Sequence, residues 1–92
     1  MNKEAQRQFL EIVGILAHSS HGPGYPKTKA LMKDLTHDPD FQDVAEDIAK
    51  IDMAKVPNWV GAFTRVTCKR ALKARETRDH AAYADNSGYG AF

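Results

Sequence analysis

Apolar positions recur along most of the chain at helical spacing. Ala5, Phe9, Ile12, Val13 and Leu16 fall at i, i+4, i+7, i+8 and i+11, one face at about 100° per residue. The pattern predicts a helix from about Asn2 to Ala17, with Lys3, Glu4, Arg7 and Glu11 on the far side. Leu10 and Ile15 flank the stripe and widen it, so this helix is expected to touch several neighbours and form the centre of the core. Thr28, Leu31, Met32 and Leu35 predict a short second helix over about Pro26–Leu35. Phe41, Val44, Ala45, Ile48 and Ile51 predict a third. A fourth begins at Pro57 or Asn58, buries Trp59, Val60, Phe63, Val66 and Thr67, thins at Arg70, Ala74 and Ala81, and ends near Ala82.

Breaks between these segments have local causes. Ser19-Ser20-His21-Gly22-Pro23-Gly24-Tyr25-Pro26 carries two glycines and two prolines and reads as a connector. It lacks the Lys-Ser/Thr ending of a phosphate-binding loop. At Thr36-His37-Asp38-Pro39-Asp40, Asp38 can cap a helix and Pro39 suits its first position, while Asp40 and Asp43 favour the positive end of its dipole. Residues Asp85–Phe92 have no periodicity. The expected fold is all-α: one small compact bundle of about four helices over residues 1–83, with a flexible C-terminal tail over 84–92.

At 92 residues the chain is one domain, with hydrophobic and charged fractions of 42% and 27% that exclude wholesale disorder. A bundle of this size buries roughly 60–65% of the unfolded chain's surface. Dimerisation is therefore a possible support. The single cysteine, Cys68, excludes an intrachain disulfide and suits a reducing, cytoplasmic setting. No apolar run approaches the roughly 18 residues of a membrane span, and the polar start from Met1 to Arg7 does not read as a signal peptide.

A net charge of +1 conceals an uneven distribution. Lys33–Asp52 holds seven acidic residues and two lysines, whereas Arg65–Arg78 holds six basic residues and one glutamate. The third helix is acidic and the fourth basic. The plainest reading is two solvated faces that attract weakly, exposed pairs being worth about 0–1 kcal/mol. The sharper reading starts from Arg65, Lys69 and Lys73, a ridge at every fourth residue with Leu72 inside it, suited to an acidic, partly apolar protein surface. Tyr89 and Phe92 in the tail add candidate aromatic anchors.

Other chemistry finds little support. Arg65, Lys69, Arg70 and Lys73 could contact phosphates, a thin footprint that a dimer would double. Residues 44–63 match a helix-turn-helix poorly, because Asp52 falls at an apolar position and no glycine marks the turn. Seven carboxylates are few for a mimic of the phosphate backbone. His18 and His21 form one imidazole pair without the three or four ligands of a zinc site. Cys68 and His80 would stand about 18 Å apart on a continuous helix. No enzyme, metal or cofactor is expected. The leading expectation is an interaction module that binds a larger intracellular protein stoichiometrically, as adaptor or inhibitor. Its size would suit an accessory factor of a mobile element, an origin that no residue shows. The second expectation is a nucleic-acid-binding domain.

Overall fold

Four helices follow in chain order in the computed structural model: α1 (Lys3–Ser19), α2 (Pro26–Thr36), α3 (Pro39–Ala49) and α4 (Asn58–Asn86). The structure describes residues 2–19, 22 and 24–86, with side chains over 2–18, 22 and 24–78. No strand occurs among the described residues. The fold is an all-α bundle, and none of its described helices is long and apolar enough to cross a membrane.

Side-chain caps open α1 and α3, whereas α2 and α4 begin on backbone bonds after Tyr25 and Pro57. Asn2 Oδ1 accepts from the amides of Glu4 at 2.9 Å and Ala5 at 3.3 Å, and Asn2 Nδ2 donates to Asp47 on α3 at 3.1 Å. The cap of α1 therefore also fastens it to α3. Before α2, Gly22 takes a φ of 134°, open to glycine and strained for other residues. Its carbonyl accepts from the Thr28 hydroxyl at 2.8 Å. Asp38 caps α3 by accepting from the Asp40 amide at 3.0 Å, with Pro39 at the first helical position. At α4 the Pro57 carbonyl accepts from the amides of Val60 and Gly61.

The core lies mainly where α3 and α4 meet. Phe41, Val44, Ala45 and Ile48 of α3 are buried with Val60, Phe63, Cys68 and Ala71 of α4. Ala5, Phe9, Ile12 and Leu16 of α1 complete it, with Leu35 of α2 and Met53 of the α3–α4 connector. Fully burying a side chain such as Phe41 contributes roughly 1.5–3 kcal/mol. Gly61 admits the connector close to α4: a Cβ there would stand 3.4 Å from Met53 Cβ.

Four expectations are corrected. The centre is the α3–α4 interface, with α1 packed beside it, because α1 leaves Leu10 64% and Ile15 41% exposed instead of covering its flanks. Val66 is 42% exposed, so the buried stripe of α4 runs through Val60, Phe63, Thr64, Thr67, Cys68 and Ala71. Arg70 is exposed and α4 leaves the core about one turn later, with Leu72, Ala74 and Arg75 still half-buried. Finally, α4 runs on to Asn86, past the expected end near Ala82.

Polar atoms in this core are largely bonded. Thr64 and Thr67 donate to the carbonyls four residues earlier, at 2.8 and 2.6 Å, so their hydroxyls tolerate burial. Gln42 donates through Nε2 to the Thr36 carbonyl at 2.9 Å, and Arg75 donates to the Gln42 backbone carbonyl at 3.3 Å. Gln42 Oε1 is buried without a partner. One side chain thus ties the end of α2 to α3, beneath α4.

Two substitutions test this packing by thermal denaturation. A Cβ on Gly14 would meet nothing within 4 Å, so Gly14→Ala should stabilise by the helix-propensity difference of about 1 kcal/mol, raising Tm by roughly 4–8 °C. Gln42→Ala should destabilise by about 1–3 kcal/mol, because it strips the Thr36 carbonyl of its partner.

Candidate functional site

Successive residues turn about 100° on a helix, and α4 distributes its side chains accordingly. Arg65, Lys69 and Lys73 lie exposed on the outer face. Each step of four residues drifts about 40° around the axis, which carries the ridge from Arg65 toward the flank of Val66 and Arg70. Leu72 is half-buried and packs against the core, and Cys68 beside it is buried. The ridge is therefore cationic with only part of a leucine at its edge. Tyr89 and Phe92 lie outside the described residues.

Beside this ridge a groove of about 660 Å³ opens between α2 and α4. Its apolar lining is Met32 from α2 with Trp59, Ala62, Phe63 and Val66 from α4. Lys29 and Lys33 stand along the α2 wall, Arg70 stands on the α4 wall, and His37 follows the end of α2. Thr28 and Thr36 also line it, but Thr28 donates to the Gly22 carbonyl and Thr36 to the Met32 carbonyl. No carboxylate lines the groove.

The groove arises from a mismatch in width. On α4 the apolar arc extends past the core stripe onto the flank of Trp59, Ala62 and Val66. α2 packs beside that flank through Thr28 and Leu35 at its buried face. It leaves Val66 and Ala62 exposed and Trp59 half-buried. Sequence reasoning placed Trp59 and Val66 in the buried stripe of α4 and so missed them as a groove wall. The surplus of apolar residues on α4 over what a four-helix core needs was the available signal.

Charge on α3 stays apart from charge on α4. Among the described residues, no ion pair joins the acidic residues of α3 to Arg65, Lys69, Arg70 or Lys73. Arg7 pairs instead with Glu4 and Glu11 along the outside of α1, and its hydrogen bond holds the Glu4 carboxyl below its ordinary range.

Reactive groups do not converge here. Burial pushes the Cys68 thiol up to about 12, so it is protonated at neutral pH. α4 is continuous between Cys68 and His80, and twelve residues at 1.5 Å each separate their backbones by about 18 Å. Among the described residues no three of His, Cys, Asp and Glu gather as a metal site. No protein-family profile, curated protein or solved structure matches the chain.

The thiol supplies a direct check on this packing. Native Cys68 should be alkylated on the order of a hundredfold more slowly than in denaturant. Its pKa is raised on folding, from an ordinary 9.0, so the folded state holds the thiol proton more tightly than the unfolded state. The stabilisation this gives is complete below about pH 9 and declines as pH rises toward 12. The stability gap between the wild type and Cys68→Ala should therefore narrow above about pH 9.

Proposed function

We propose that the chain is a small helical interaction module that binds a larger protein stoichiometrically, through the α2–α4 groove and the adjoining ridge of Arg65, Lys69 and Lys73. One observation carries this reading: an apolar groove bordered by Lys29, Lys33 and Arg70, with no carboxylate in its lining. Apolar contact excludes water and supplies affinity, while the cations select an acidic counterpart and speed encounter. Such a module works by occupancy, as an adaptor or an inhibitor, and needs no turnover.

A second reading has its own observation. Arg65, Lys69, Arg70 and Lys73 are all exposed on one helix, and four cations could follow a phosphate backbone. Neutralising three or four phosphates would give a slope of about −3 to −4 in log affinity against log salt, and a dimer would double it.

Affinity capture from extract, with and without nuclease, separates the two. The module reading expects a retained protein that survives nuclease, forms a complex of fixed stoichiometry by light scattering, and is lost with Val66→Asp. Val66 is exposed, so that variant should keep the wild-type circular dichroism. Loss of all retained material on nuclease treatment, with the steep salt slope on defined DNA or RNA, would put nucleic acid in its place.

A further inference from the structure

We infer that the α2–α4 groove receives one acidic amphipathic α-helix of about three turns from its protein partner, an inference that rests on the module reading above. Length comes first. From Trp59 to Arg70 the α4 wall advances eleven residues, about 16 Å at 1.5 Å each, and α2 has eleven residues in all. A three-turn helix matches both walls.

Backbone chemistry selects helix over strand. Both walls are helices whose amides and carbonyls are bonded within themselves, and the floor is thioether, methyl and aromatic carbon. An extended peptide laid there would bring unpaired amides against a surface with no partners for them, at a cost of roughly 1–3 kcal/mol for each one buried. A helix satisfies its own backbone and offers an apolar face repeating at i, i+3, i+4 and i+7. At about 660 Å³ the groove holds several side chains of that face, not the whole helix.

Charge selects the sign of the occupant. Lys29 and Lys33, four residues apart on α2, are neighbours along one wall, and Arg70 stands on the other. Acidic residues flanking the apolar face would meet cations on both sides and no carboxylate. A second copy of this chain fits poorly: Asp43 and Glu46 of α3 are exposed, but the apolar face of α3 is already buried in its own core. Nucleic acid also fits poorly, since the aromatic rings lining the groove are Phe63, buried, and Trp59, half-buried, which offer bases little ring face to stack on.

Trp59 is the chain's one tryptophan, so its emission reports occupancy of the groove directly. A displayed library of random peptides about 14 residues long would be selected on the wild-type protein and counter-selected on Lys29→Glu/Lys33→Glu/Arg70→Glu, whose three positions are exposed. Enriched peptides should combine helical apolar spacing with acidic flanks. Synthesised, they should shift Trp59 emission to the blue and bind the charge-reversed protein at least about tenfold more weakly. Raising salt from about 50 to about 300 mM should weaken binding several-fold. Should the triple variant fail to fold, Ala62→Tyr serves instead: it fills an exposed part of the groove, keeps every charge, and should also weaken binding at least about tenfold. Enrichment of basic or proline-rich extended peptides, or binding without a Trp59 response, would overturn the inference. If no acidic helix is selected while a protein partner is still captured by the wild type and lost with Val66→Asp, the module reading survives and this inference fails. If oligonucleotides shift Trp59 emission and displace the peptides, both fall.

Discussion

The first four turns of α4 are the surface on which α2 and α3 are organised, with α1 packed chiefly on α3 and touching α4 beside it. Val60, Thr64, Thr67, Cys68 and Ala71 form a stripe of small and medium side chains that lets α3 pack closely with Phe41 and Ile48. Two of those five are threonines, and burial there depends on each hydroxyl being returned to the helix backbone. The same geometry puts Gln42 under α4, where it holds the end of α2. A helix serving three neighbours needs a broad apolar arc. That breadth is the constraint from which the rest of the structure follows.

Breadth also leaves a remainder. α1 and α3 cover one side of the arc, and short α2 stands beside the other without closing over it. Met32, Trp59 and Val66 consequently line a groove, although their helical spacing reads as core. Lys29, Lys33 and Arg70 border it, while among the described residues no ion pair joins the carboxylates of α3 to Arg65, Lys69, Arg70 or Lys73. Within a chain of net charge +1, this produces a local surface of one sign. Apolar lining and uniform charge together favour an acidic, partly apolar partner over a phosphate backbone, which the cations alone would serve equally well.

Elements were legible in the sequence because their causes are local. Asp38-Pro39 opens α3 as its capping chemistry dictates, and the alternation of Phe41, Val44, Ala45 and Ile48 maps directly onto the buried face. What failed was the fate of residues at the edge of a stripe. Val66, Leu10 and Ile15 are apolar at helical spacing, yet each is exposed. Gln42 and Thr64 are polar yet buried, and such burial depends on a hydrogen bond whose partner polarity patterns do not show. The Arg65–Lys69–Lys73 ridge was readable from spacing alone. The groove was not, because its two walls come from segments some thirty residues apart.

Hydrogen exchange on the purified complex with a captured partner tests the account most directly. Added protection should concentrate in α2 from Lys29 to His37 and in α4 from Trp59 to Lys73, with the outer face of α1 unchanged. Protection centred on Leu10 and Ile15 of α1, or on the acidic face of α3, with the α2–α4 pair exchanging as in the free protein, would contradict it.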